Sequence, residues 1–123
     1  MLDSLRRQGF ADFEVILVDQ NQDDRLDGLA QEYAACFPLQ HLKIQSYGAS
    51  RARNWGGRCA SGDILLWPDD DSWLPEDFLE RLSQTFESDP ETACVVGVLV
   101  DESDRPHQRW IPGERQTATV YDA

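Results

Sequence analysis

Three consecutive carboxylates, Asp69, Asp70 and Asp71, follow the apolar run Ile64-Leu65-Leu66-Trp67 after a single Pro68. Adjacent carboxylates repel one another, so three together cost stability unless a cation, hydrogen-bond donors or water offset the repulsion. A hard divalent ion with oxygen ligands is the natural counterpart. The ordinary alternative is that Asp71 or Ser72 caps a helix beginning near Leu74-Pro75-Glu76, since a first turn favours both proline and acids. Capping accounts for one acid and leaves two as solvated turn residues. A further acid, Asp19, stands at the end of another apolar run, Phe13 to Val18. The bases Arg51, Arg53 and Arg58 cluster between the two acidic positions.

Positioning these groups is the task of the elements around them. Leu2 and Leu5 share one face of a short helix that Gly9 would end. Phe-Glu-Val-Ile-Leu-Val at 13–18 reads as a strand buried on both faces of a parallel sheet. Leu26, Leu29, Ala30, Tyr33 and Phe37 recur at helical spacing, preceded by the cap-like Asp23-Asp24 and closed by Pro38. Leu39 to Gln45 alternates apolar and polar residues, as an edge strand does. After Gly48 comes a helix with an inner face of Ala49, Ala52, Gly56, Cys59 and Ala60, small enough to approach a sheet closely. Ile64 to Trp67 and Cys94 to Val100 read as two more buried strands, with an amphipathic helix through Leu74, Phe78, Leu79, Leu82 and Phe86 between them. Beyond Asp101 the pattern weakens, with Thr117 to Tyr121 a last short strand. Strands alternating with helices imply a doubly wound α/β sheet with right-handed crossovers. In such sheets ligands gather beyond the carboxyl ends of the strands, where Asp19 and Asp69 to Asp71 stand.

Composition narrows the function. The chain has 123 residues, enough for one domain at most, and its formal charge of -12 argues against binding nucleic acid through the phosphate backbone. Neither a transmembrane segment nor a secretory leader is evident, which suggests a cytoplasmic protein. Cys36, Cys59 and Cys94 suit reduced, mostly buried thiols better than disulfides or a zinc site. His41 and His107 lack ligand spacing and read as ordinary surface or loop residues.

Four stretches together resemble the nucleotide-binding part of a family 2 glycosyltransferase of the GT-A fold. They are Ser4-Leu5-Arg6-Arg7-Gln8, Phe13 to Asp19, Gly48-Ala49-Ser50-Arg51-Ala52-Arg53-Asn54, and Ala60 through Asp71, the last ending in an Asp-x-Asp motif. The resemblance implies a Rossmann-like, mostly parallel sheet flanked by helices, with residues 1–123 a partial nucleotide-sugar-binding domain. It also implies that Asp19 lies by the uracil or ribose of a nucleoside diphosphate sugar, and that Asp69 and Asp71 hold Mn²⁺ or Mg²⁺ on the diphosphate. Asp69, Asp70 and Arg51 then belong to the nucleotide site, with Arg53 and Asn54 nearby. For Arg53 the ordinary reading, solvation or a salt bridge at a helix N-terminus, is preferred. Such a metal would neutralise charge developing on the departing diphosphate. Trp67 and Trp73 flank the acids, and tryptophan beside a strand end is more often buried filler than a sugar platform.

The sequence departs from the family's pattern in two places. Its usual first strand is missing ahead of the first helix, and the acceptor half that carries the general base is not matched. Glu102, Asp104, Glu114 and Asp122 are available, but none stands in a matching context, so no base is assigned. A gap in the middle of the sheet would expose strand edges and offer a route to self-association. The acceptor, whether glycan, lipid or protein, is not legible. An aspartate-nucleophile phosphatase would need Thr or Val where Trp73 stands. A receiver domain would need a lysine on a later strand, whereas the only lysine, Lys43, precedes the triplet. The remaining rival is a sugar-nucleotide-binding fragment without turnover.

Overall fold

The computed structural model describes residues 1–97. The chain divides into two compact units, Met1–Thr85 and Phe86–Ala123. The first holds a β-α-β unit. Strand β1, Val15–Asp19, leads through helix α2, Asp27–Ala34, into strand β2, Leu39–Lys43. The strands are parallel and in register from Val15 opposite Leu39 to Asp19 opposite Lys43. Helix α1, Leu2–Arg6, comes before them, and α3, Ala49–Cys59, and α4, Phe78–Ser88, follow. The α/β architecture expected from the sequence is therefore present, and each of the four expected helices forms, although α4 begins at Phe78 and leaves Leu74 outside it.

On one side of the strands, Leu5, Tyr33, Phe37, Leu74 and Leu79 form the buried core, with Phe13 and Tyr33 rings against Phe37 at 5.5 and 6.0 Å. Helix α3 packs on β1 through its small residues. A Cβ on Gly56 would sit 3.2 Å from Val18 Cγ2, so glycine there lets the backbone approach the strand. Gly48, the residue before α3, has φ of 109°, a conformation that L side chains rarely adopt.

Three expectations about the elements fail. Asp23 and Asp24 do not cap α2: the Asp23 carboxylate is turned to Arg25, at 2.7 and 2.6 Å, and the residue before the helix is Leu26. Nor do Asp71 or Ser72 start α4, which begins at Phe78. Ser72 instead donates its N–H and hydroxyl to the Asp69 carbonyl. The N–H of Leu79, in the first turn of α4, donates to Gln8 Oε1 at 3.0 Å, so the acceptor comes from the far end of the chain. The same Gln8 donates from Nε2 to Pro75 O at 2.6 Å, and buried Ser4 accepts Leu74 N–H at 3.1 Å. These two side chains fasten α1 to the segment that follows the acid triplet.

The third failure concerns Ile64 to Trp67, which form no strand. Among the described residues the sheet has two strands only, and β1 has β2 on one edge. A cleft of about 920 Å³ is lined by Val15 to Val18 of β1 and by Ile64 to Trp67. Ala52, Gly56 and Gly57 of α3 line this cleft, as do Met1 and Leu2 of the N-terminal segment and Leu79 and Leu82 of α4. Ile64, Leu65 and Leu66 are 38%, 43% and 38% exposed, although their types are those of a buried strand. A strand exists only as part of a ladder, and among the described residues none pairs with this run. Apolar residues of β1, α3, α4 and the 64–67 run thus line one slot, with the charged Asp12, Glu14, Arg53, Asp63 and Asp70 also on its lining.

The second unit begins within α4 and continues into a turn at Asp89–Thr92, where Asp89 accepts from the Glu91 and Thr92 N–H groups and the Thr92 hydroxyl. Cys94 to Gly97 have no regular structure, contrary to the expected strand; Leu99, Val100 and the expected strand at Thr117 to Tyr121 lie outside the described residues. The three cysteines are free as expected, but Cys36 and Cys94 are exposed and Cys59 is half-buried.

Candidate functional site

Asp19 ends β1, and its side chain is wholly shielded from solvent. Oδ1 accepts the Asn21 N–H at 2.8 Å and the Asn21 amide at 2.7 Å, while Oδ2 pairs with His41 Nε2 at 3.0 Å. Burial raises the Asp19 pKa, but the bonds from Asn21 and His41 outweigh it and hold the carboxyl below its usual range. An ionised carboxylate offers about four acceptor sites, so one remains, on Oδ2 beside His41. Because the side chain is wholly shielded, a ligand reaches it only if a covering group moves.

His41 is therefore not the ordinary surface residue expected from its isolation in sequence. It lies in β2, is 16% exposed, and is flanked by Asp19 at Nε2 and by Asp27, 3.7 Å from Nδ1. Two residues on, along the same strand face, Lys43 Nζ lies 2.6 Å from both Asp24 and Asp27, and these partners hold its pKa well above the usual value. Side-chain alternation along β2 was legible as a strand pattern. The approach of β2 to the end of β1 was not, because it depends on parallel pairing.

Helix α3 links the end of β1 to the acid triplet. Gln20, the residue after β1, donates from Nε2 to the carbonyls of Ser46 and Gly48 in the loop that enters α3. One turn into the helix, Arg53 Nη2 lies 3.8 Å from Asp69 Oδ1. Arg53 thus forms the salt bridge favoured for it, and its partner is the triplet itself. Arg51 Nη1 makes only a long contact, 3.5 Å, with Ser46 Oγ. Asp69, Asp70 and Asp71 are all exposed, and Asp70 and Arg53 are among the residues that line the slot. Trp67 and Trp73 are 52% and 60% exposed, so neither is buried filler; the Arg7 guanidinium lies 5.9 Å over the Trp73 ring. The acids at 102, 104, 114 and 122, together with His107 and Trp110, lie outside the described residues.

Among the described residues no three of His, Cys, Asp and Glu converge as a metal cage. The donor chemistry nonetheless suits a hard divalent ion. Mg²⁺ characteristically takes one or two carboxylates and completes its shell with water and substrate phosphates. Two exposed aspartates on one turn match that habit, and Arg53 beside Asp69 adds a cation for a phosphate.

Comparison with known proteins bears on the family of the chain. The family model described as glycosyl transferase family 2 matches residues 1–121. The chain is 34% identical over 91 residues to an uncharacterized glycosyltransferase of Haemophilus influenzae, covering 73% of this chain and 30% of that protein. It is 33% identical to the putative glycosyltransferase EpsH of Bacillus subtilis, covering 77% and 27%, and 31% identical to the uncharacterized glycosyltransferase EpsJ of the same organism, covering 97% and 34%. It therefore spans about a third or less of the length of these relatives. No solved structure matches it significantly. Among the described residues no helix is long and apolar enough to cross a membrane.

Proposed function

Because this chain belongs to glycosyl transferase family 2, we propose that it forms the donor-binding part of an enzyme that moves a sugar from a nucleoside diphosphate sugar, preferably UDP-linked, to an acceptor. The observation that carries this reading is the linkage through α3, which ties the loop after Asp19 at one point and Asp69 at the next. Asp19 at the end of β1 and Asp69 after the 64–67 run are thereby connected through one helix, in keeping with the way α/β sheets take ligands beyond the carboxyl ends of their strands. A cap or a solvated turn gives no reason for that arrangement.

In this reading Asp69 and Asp71 hold Mn²⁺ or Mg²⁺, while Asp69, Asp70 and Arg51 border the diphosphate and Asp19 the base or ribose. When bound, the metal stabilises negative charge on the leaving diphosphate. Arg53 adds positive charge beside Asp69, and the exposed face of Trp73 is available to the sugar. No described residue is assigned as the base that deprotonates the acceptor, and residues 1–97 are read as the donor-binding part of the reaction. Free thiols agree with a cytoplasmic, reducing setting.

Turnover and binding are separable by experiment. With UDP-sugars and Mn²⁺, the chain is expected to bind UDP yet release little or none from the sugar nucleotide. Release at ordinary enzyme rates would contradict the assignment of residues 1–123 to the donor part alone.

A further inference from the structure

Asp19 and His41 carry an inference that rests on the donor-site reading just given. His41 comes from β2 and meets the one Asp19 oxygen that Asn21 does not occupy. It is held in turn by Asp27, at 3.7 Å from Nδ1, and Asp27 is clamped with Asp24 by Lys43 at 2.6 Å. The other charged groups near this chain of contacts are Arg25 and Asp23, which pair with each other at 2.6 Å. A shielded carboxylate is costly unless donors satisfy it, and the donor also decides which lone pair stays open. From this geometry we propose that His41 is the positioning residue for Asp19: its Nε2–H keeps the carboxylate ionised and turned so that the remaining Oδ2 lone pair can accept a donor from the base or ribose of the nucleotide.

The consequence is specificity set from the second strand. His41 need not touch the nucleotide to affect its selection, because losing the Nε2–H donor lets Asp19 rotate or take up a proton. Asn21 alone then holds the carboxylate by one oxygen.

Calorimetric affinities for UDP, CDP and GDP with Mn²⁺ are to be compared among wild type, Asp19→Ala, His41→Leu and His41→Gln. The Asp19 carboxyl is titrated by ¹³C NMR in the ligand-free chain in parallel. His41→Leu is expected to lose roughly tenfold or more of the preference among nucleotides, the worth of a charge-assisted hydrogen bond, and to raise the Asp19 titration midpoint. His41→Gln keeps an N–H donor and is expected to recover part of both. If His41→Leu and His41→Gln lose preference equally, or Asp19 titrates as in wild type in His41→Leu, the positioning role is overturned. Loss of preference in Asp19→Ala with full preference in His41→Leu overturns the proposal alone. Unchanged preference in Asp19→Ala overturns the donor-site role of Asp19 and the proposal with it.

Discussion

Appending a short turn and a five-residue apolar strand ahead of Met1 should fill the slot beside β1. Ile64, Leu65 and Leu66 each leave about two fifths of their surface in water. Burying a whole aliphatic side chain stabilises by about 1.5 to 3 kcal/mol, so covering these three contributes about 2 to 4 kcal/mol. New ladder hydrogen bonds add about 0.5 to 1.5 kcal/mol each, and ordering the added residues costs about 1 to 2 kcal/mol per residue, so those two contributions roughly offset. For a domain of this size the gain is a rise in Tm on the order of 10 °C. Differential scanning calorimetry measures the shift, and size-exclusion chromatography at several concentrations shows whether the free edge of β1 drives self-association without the strand. A strand of the same length built from Ser and Asn is the control. Equal melting temperatures for the apolar and polar versions would refute the claim that the cleft is a strand-shaped gap.

Removing the clasp between α1 and the segment after the triplet should weaken the fold: Ser4→Ala leaves the buried Leu74 N–H without its acceptor and should cost about 1 to 3 kcal/mol in urea denaturation. Gln8→Ala should be of similar size, because it removes both the first-turn acceptor of α4 and the bond to Pro75. The folded chain holds Asp19 below its ordinary value of 3.8 and lowers Asp23 to about 2, so their contributions are present above pH 4 and lost as the pH falls through the folded values. Asp19→Asn should therefore be less stable than wild type at pH 7, with the difference shrinking by pH 3, as followed by the urea midpoint.

Local chemistry was legible in the sequence where a residue's role depended on its near neighbours. Apolar spacing and small residues placed the helices, an apolar and β-branched run placed β1, and apolar–polar alternation placed β2. Small residues on α3 announced its close approach to β1, which Gly56 bears out against Val18. Roles set by distant partners were not legible. Nothing in the residues beside Ser4 and Gln8 marks a distant partner, yet each meets a backbone group about seventy residues away. His41 read as isolated because Asp19 becomes its neighbour only when β1 and β2 pair. Ile64 to Trp67 had the composition of a strand, but a strand also needs a neighbour to bond. The acid triplet announced itself by charge density alone, whereas its link to Arg53 required the fold.

The central claim is that the triplet holds a divalent ion on a nucleoside diphosphate. Isothermal titration of UDP into the chain with Mn²⁺, repeated with EDTA and with Asp71→Ala, tests it most directly. Binding that requires Mn²⁺ and weakens at least tenfold in Asp71→Ala is the predicted result. Equal affinity for the wild type and Asp71→Ala in the presence of Mn²⁺ would contradict it.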